Sequence, residues 1–185
     1  MKYLIMTEGV DELTLINILI EKNILKYKKS DLLYLTPIHA RQMQQKPAIM
    51  RSIRQISGEN IIEIFRVGDN LTDLFKIPKE FKTKIKSVHK VCTLPELEML
   101  IIINENLVSD FEKVKSKESP SKFCSHRVKG FSKNVNKWYK DYLGNLSIKQ
   151  IVTDLKEYRR IKKKSHDNDQ LFLTCLIKES ILKKY

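Results

Sequence analysis

The chain has 185 residues and a formal net charge of +13, so it is long enough to bury its own core and basic enough to meet a polyanion. Its three cysteines lie far apart without a Cys-x-x-Cys pair, which argues against a disulfide framework or a zinc site and predicts a reducing, cytoplasmic setting. The longest apolar run, at 99–103, is too short to span a bilayer, so no membrane role is expected.

The first hundred residues predict alternating strands and helices, because short apolar runs alternate with apolar residues at helical spacing. In chain order we predict a strand at 3–7, a helix at 11–24, a strand at 31–37, a helix at 39–57 interrupted near Pro47, a strand at 60–70, a helix at 71–85 broken at Pro78, and a strand, turn and helix over 87–103. This alternation predicts an α/β fold, with a parallel-rich sheet of about four strands flanked by helices.

The remaining residues predict helices without a further strand. Residues 117–132 are typical of a loop-rich connection, and helices are predicted at 133–143, 147–162 and 168–183. Residues 1–110 carry 16 Lys and Arg against 14 Asp and Glu, whereas residues 111–185 carry 19 against 8. We therefore predict an α/β core over 1–110 and a basic, mainly helical extension over 111–185.

Acidic residues follow the predicted strands at the points where those strands end. The candidates for binding Mg2+ or Mn2+ are Glu8, Asp11, Asp69, Glu96 and Glu98. Hard divalent cations prefer carboxylate oxygens, and the carboxyl ends of parallel strands meet at one edge of a sheet. Glu8 is the leading candidate, because Gly9 after it allows a tight turn and leaves room for a phosphate.

Several of these acids also have structural interpretations. Asp11 and Glu12 in the first turn of a helix would complement its dipole, and so would Glu96. Glu98 lies within an apolar run, so its carboxylate is either functional or paired with a lysine.

The basic residues provide candidates for phosphate contacts. Lys122, His126 and Arg127 form one group, and Arg159, Arg160, Lys162, Lys163 and Lys164 form the densest run. Such residues release counterions from a nucleic-acid backbone, although a solvated, lysine-rich surface is the alternative. Trp138, Tyr142 and Leu143 are interpreted as a packed helix face rather than a base-stacking surface.

Three segments, "LIMTEG", "RVGDN" and "TLPELEMLII", together resemble the TOPRIM domain of topoisomerases, primases and the overcoming-lysogenization-defect nucleases. The similarity is closest to small stand-alone TOPRIM-like proteins of bacterial defence systems and covers roughly residues 2–125. "SPSK" at 119–122 stands in the order of a turn found in some of them. One departure is the absence of the family's Asp-x-Asp pair.

The resemblance implies divalent-metal-dependent cleavage of DNA or RNA, with Glu8, Glu96, Glu98 and Lys122 as catalytic residues. It also implies a toxic antiphage effector that works with a partner ATPase or sensor protein of the same operon. The missing Asp-x-Asp pair favours the alternative, a non-catalytic TOPRIM-like module that binds nucleic acid. No Gly-rich phosphate loop is present, which argues against P-loop and Rossmann nucleotide sites.

Overall fold

The fold is taken from a computed structural model, which describes residues 1–69, 71–93, 97–132, 136–162 and 170–185. The described strands are β1 (Lys2–Thr7), β2 (Ile38–His39), β3 (Ile62–Gly68), β4 (Ile85–Cys92) and β5 (Gln170–Phe172). The described α-helices are α1 (Val10–Glu21), α2 (Pro47–Gln55), α3 (Met99–Asn104), α4 (Val108–Val114), α5 (Pro120–Arg127), α6 (Asn136–Asn145), α7 (Ile148–Lys162) and α8 (Glu179–Lys184).

The strands form one parallel sheet in the order β2-β1-β3-β4-β5. An α/β fold with a parallel sheet flanked by helices is therefore confirmed. The sheet has five strands rather than about four, because β5 pairs with the end of β4 from Lys90 to Cys92. The helix predicted at 168–183 is wrong: within the described residues 170–185, only Glu179–Lys184 is α-helical, and a three-residue strand is too short to show an alternating pattern.

Other predicted elements are also wrong, for local reasons. The second strand is Ile38–His39 rather than 31–37, and the chain before it makes a single bridge from Leu32 to Tyr3. Residues 71–84 contain one short 3-10 turn instead of a helix, because Phe75, Ile77 and Phe81 pack on the sheet from a loop.

Two proline positions explain further differences in the helices. Helix α2 begins at Pro47 rather than being interrupted there, since proline is well suited to the first helical position. Residues 120–127 form α5 inside the segment predicted as loop-rich. Its start is set by Pro120 and by Ser119, whose hydroxyl accepts a hydrogen bond from the Lys122 N–H across 3.3 Å.

Alternating residues of the strands contribute their side chains to two hydrophobic clusters on opposite faces of the sheet. The smaller cluster packs Leu4 and Ile64 against Ile49 and Ile53 of α2. The larger cluster contains side chains from α1 and α3 through α7, and so joins residues on both sides of position 110. The two-part division at that position stays a prediction about domain organisation.

A lysine from the strand side fixes the end of α2. Lys84 Nζ donates hydrogen bonds to the carbonyl oxygens of Ile53, Arg54 and Ile56 at 2.9, 3.1 and 2.6 Å. Lys84 thereby satisfies carbonyl groups at the end of the helix, where intrahelical donors run out. Within the described ranges, no helix has both the length and the apolar character needed to cross a bilayer.

Candidate active site at the carboxyl edge of the sheet

The path of the chain changes direction between β1 and β3. These strands are adjacent and parallel over six residue pairs, but β1 is followed by β2 on one side, whereas β3 is followed by β4 on the other. In open α/β sheets this arrangement opens a crevice beyond the carboxyl ends of the two strands, where ligands bind. Glu8 directly follows β1 and Asp69 directly follows β3, so two of the predicted site residues lie at this crevice.

Glu8 is held closely by its surroundings. Its side chain is 7% exposed, and its backbone N–H donates to the Val67 carbonyl across 2.8 Å. A Cβ atom placed on Gly68 would lie 2.5 Å from Glu8 Oε2 and 2.7 Å from Glu8 Cβ, which real atoms do not tolerate. Gly68 therefore provides the space in which the Glu8 carboxylate sits.

Arg41, which sequence reasoning missed, forms an ion pair with this carboxylate. Arg41 Nη2 lies 2.7 Å from Glu8 Oε1, although the arginine side chain is 61% exposed. The His39 ring Nε2 lies 3.0 Å from the Glu8 carbonyl oxygen. His39 belongs to β2 and Arg41 lies two residues after it, so the edge strand and the chain after it place basic groups beside Glu8.

The backbone around Arg41 is fixed by glutamine side chains. Gln45 Oε1 accepts hydrogen bonds from the N–H groups of Arg41 and Gln42 at 2.8 and 3.0 Å. Gln42 Nε2 in turn donates to Asp73 Oδ2 across 2.8 Å, and Asp73 pairs with buried Arg66. This network ties the chain after β2 to the chain after β3.

Glu12 is a buried acid at this edge. The residue is 9% exposed, and the Thr93 hydroxyl donates to its Oε1 across 3.3 Å. Burial raises the pKa of Glu12 to about 7, and the nearby charges of Asp69 and Asp11 add to the increase. Near neutral pH this carboxyl is therefore divided between its protonated and ionised forms.

The sequence interpretation placed Glu12 only as a partner of the helix dipole. The sequence does contain a signal for the burial of Glu12. Glu12 precedes Leu15, Ile16 and Leu19 at the spacing of one helix face, and those residues are buried with it. Gly9 also has a local role, since a Cβ atom there would overlap the Glu12 carboxylate.

The Tyr139 hydroxyl is within electrostatic range of the Glu98 and Asp11 carboxylates. Burial raises the pKa of Tyr139, and the Glu98 and Asp11 carboxylates raise it further. Glu98 is 5% exposed and lies at the N-terminal cap of α3.

Thr7, the last residue of β1, is fully buried, and its hydroxyl has no hydrogen-bond partner among the described residues.

Of the five predicted metal ligands, Glu8 and Asp69 directly follow β1 and β3, Asp11 lies in the first turn of α1, and Glu98 is the N-cap residue of α3. Glu96 falls outside the described residues. Among the described residues, no three His, Cys, Asp or Glu side chains form a group that could hold a metal ion. The edge therefore offers carboxylates without a ready three-ligand centre.

No protein-family model, curated protein or solved structure matches this chain. The residues and their geometry are accordingly the basis for a functional assignment.

The first basic group lies on α5, next to the acidic edge. Lys122 is exposed, while His126 Nδ1 lies 3.5 Å from Glu118 Oε2. The Arg127 guanidinium lies 6.0 Å from the centre of the Phe123 ring. Helix α5 reaches the acidic edge through a weak hydrogen bond from Cys124 Sγ to the Glu98 carbonyl at 3.9 Å.

The second basic group is divided among different surroundings. Arg159 lies over Phe172, with 5.9 Å between the guanidinium carbon and the ring centre, whereas Arg160 pairs with Glu157 across 2.6 Å. Lys162 is half-buried, and this burial lowers its pKa. Lys163 and Lys164 fall outside the described residues, so the run does not present its described cations on one uniform surface.

Proposed function

We propose that this chain is a TOPRIM-like, divalent-metal-dependent nuclease whose active site lies at the carboxyl ends of β1 and β3. The observation that carries the proposal is the placement of Glu8 and Asp69 at the ends of adjacent parallel strands, where the chain direction switches. A five-stranded parallel sheet that opens with Glu8 and Gly9 after β1 is compatible with the TOPRIM resemblance.

The donor set fits Mg2+ or Mn2+ if the substrate completes the coordination. Mg2+ is commonly held by one or two carboxylates, with water and substrate phosphates filling its other positions, so a three-ligand protein cage is not required. Glu8 and Asp69 would hold the ion. The buried hydroxyl of Thr7, the residue before Glu8, has no hydrogen-bond partner among the described residues. When bound, such an ion supplies Lewis acidity toward a phosphodiester and its attacking water.

The protein's own groups have distinct roles in this proposal. Arg41 holds the Glu8 carboxylate in place, and its exposed guanidinium is suited to a phosphate oxygen, because the guanidinium fork matches phosphate geometry. Glu12, hydrogen-bonded to Thr93 and with a pKa of about 7, is suited to holding or releasing a proton near neutral pH. The basic residues after position 110 would bind the backbone of DNA or RNA.

Cleavage assays with a matched pair of variants test this proposal. Supercoiled plasmid DNA and tRNA are incubated with the protein, with Mg2+, Mn2+ or EDTA, in the presence and absence of the proteins encoded beside it. We expect metal-dependent cleavage that Glu8→Gln reduces at least 100-fold, whereas Glu59→Gln, at an exposed position, leaves it unchanged. Absence of cleavage of both substrates under all these conditions would overturn the enzyme proposal.

A second candidate, a non-catalytic module that binds nucleic acid, is favoured by two observations. The Glu8 carboxylate is already engaged by Arg41, and the described residues contain no three-ligand group. In that case the protein would bind nucleic acid equally well with EDTA or Mg2+, and Glu8→Gln would leave the binding unchanged.

A further inference from the structure

A second pocket lies beside β5, the outermost strand, and away from the β1–β3 crevice. It has a volume of about 510 Å3 and is formed by β5, the last turns of α7, the chain after β5, and α8. Glu8, Glu12 and Asp69 are absent from its lining. Its size falls within the range of about 300–1,000 Å3 that is typical of small-molecule sites.

Two cations face this pocket from distant parts of the chain, Lys26 after α1 and Arg159 on α7. Both are exposed, and neither forms an ion pair within the described residues. Their recorded contacts are with aromatic rings: Lys26 Nζ lies 5.7 Å from the Tyr27 ring centre, and Arg159 lies over Phe172. An anion that bridged them would gain two charge-assisted interactions.

The other titratable groups in the lining do not neutralise this pair. Glu179 is engaged by Lys183, whose Nζ lies 2.8 Å from Glu179 Oε1. Burial raises the pKa of the Cys175 thiol to about 12, so the thiol stays uncharged at neutral pH. The pocket therefore keeps a positive potential that favours an anionic ligand.

The rest of the wall suits a flat, mainly apolar group. Leu171, Phe172, Ile177 and Leu182 contribute apolar surface. Thr174 is 5% exposed and lines the same pocket, and its hydroxyl makes no hydrogen bond to the described residues. A ligand with a charged end, a polar middle and a flat ring would match these three features.

We propose that this pocket binds a nucleoside monophosphate, with the phosphate between Lys26 and Arg159 and the base against the apolar wall. The same chemical group exists as a free nucleotide and as the 5′-phosphorylated end of a nucleic-acid strand. The site does not include Glu8 or Asp69 of the proposed nuclease centre, although Arg159 also belongs to the basic residues proposed to bind the nucleic-acid backbone.

Calorimetric titration of the full chain with AMP, adenosine and inorganic phosphate tests the proposal. We expect AMP to bind more tightly than either fragment, and Lys26→Met and Arg159→Met each to weaken AMP binding about tenfold, the effect of losing one charged hydrogen bond. Arg160→Met is the matched control: Arg160 neighbours Arg159 on α7 but pairs with Glu157, so its loss should change AMP affinity less than twofold.

Two results would overturn the proposal: no AMP binding at millimolar concentration, or equal AMP affinity in wild type and in the folded double variant Lys26→Met/Arg159→Met. Competition distinguishes the two sources of the ligand. Displacement of AMP by a 5′-phosphorylated octanucleotide, but not by its 5′-hydroxyl form, supports binding of strand ends, and displacement by neither supports binding of the free nucleotide. Glu8→Gln should leave AMP affinity unchanged, so this proposal and the nuclease proposal fail independently.

Discussion

The Thr93 hydroxyl donates a hydrogen bond to Glu12 Oε1 across 3.3 Å, joining the end of β4 to the first turn of α1. This contact places a buried carboxyl beside Asp69 and Asp11, and its surroundings penalise the ionised form. The charge of Glu12 is therefore linked to folding, which leads to a pH prediction.

We expect the free energy of unfolding to fall as the pH rises from about 4.5 to about 7. The folded-state pKa of Glu12 is raised from 4.5 to about 7, so the folded protein binds a proton in this window that the unfolded chain has lost. At 1.36 kcal/mol per pH unit, the cost of ionising Glu12 in the folded protein at pH 8 is roughly 3 kcal/mol. Glu12→Gln should remove that cost, and urea unfolding at pH 5 and pH 8 measures it.

The control for this experiment is Glu59→Gln, at an exposed position, which should keep the pH dependence of the wild type. If Glu12→Gln loses stability equally at pH 5 and pH 8, the carboxyl is ionised throughout the range and the proposed proton-holding role is wrong.

A second prediction concerns the ion pair between Arg41 and Glu8. Because the guanidinium engages the carboxylate at 2.7 Å, Arg41→Ala should free that oxygen and tighten Mn2+ binding several-fold, while weakening nucleic-acid binding. Calorimetry with Mn2+ measures the first effect and fluorescence anisotropy the second. Arg51→Ala, on the exposed side of α2, should change neither, and Mn2+ affinity that is unchanged or reduced in Arg41→Ala would contradict a metal role for Glu8.

A third prediction compares two glycines. Gly68→Ala should destabilise the protein by about 1–3 kcal/mol, the usual cost of overpacking, because the new Cβ would meet both Cβ and Oε2 of Glu8. Gly144→Ala should instead stabilise it by up to about 1 kcal/mol, because Gly144 lies in α6 with no atom within 4 Å of the added Cβ. Urea unfolding of both variants provides the measurement, and equal effects would show that Glu8 moves aside freely.

A fourth prediction addresses the run of basic residues that begins in α7 and continues in the sequence to position 164. If Lys162, Lys163 and Lys164 contact phosphates, their joint replacement by Ala should weaken binding to all duplex sequences alike. It should also flatten the logarithmic salt dependence by roughly 2–3 units, at about 0.9 per contact. Filter binding from 50 to 200 mM salt tests this. An unchanged slope would assign the run to ordinary solvated surface.

The sequence predicted the sheet best where strands were long and bounded by clear turns. Strands β1 and β3 have six and seven residues, and the acids after them could be placed at one edge because parallel strands share an orientation. Strands β2 and β5 have two and three residues, which is too few for a periodic pattern, so their positions depend on tertiary pairing.

The site residues that the sequence did not predict were missed for a related reason. Arg41 reaches Glu8 only because Thr7 pairs with His39 in the register between β1 and β2, and local sequence does not encode that register. Thr93 meets Glu12 across 81 positions of sequence. Glu12 itself could have been found from the buried face of α1, whereas its partners could not.

The position of β5 has a consequence for synthesis of the chain. The side of β4 that pairs with β5 stays open until Gln170–Phe172 has left the ribosome, and Lys178 Nζ then binds Asn23 Oδ1 across 2.6 Å. A nascent chain that has formed β1, β3 and β4 thus carries an uncovered strand edge until the segment between β4 and β5 has been translated. Such an edge invites pairing with other chains, so ribosome stalling before Gln170 should yield aggregation-prone or chaperone-bound products rather than a folded fragment.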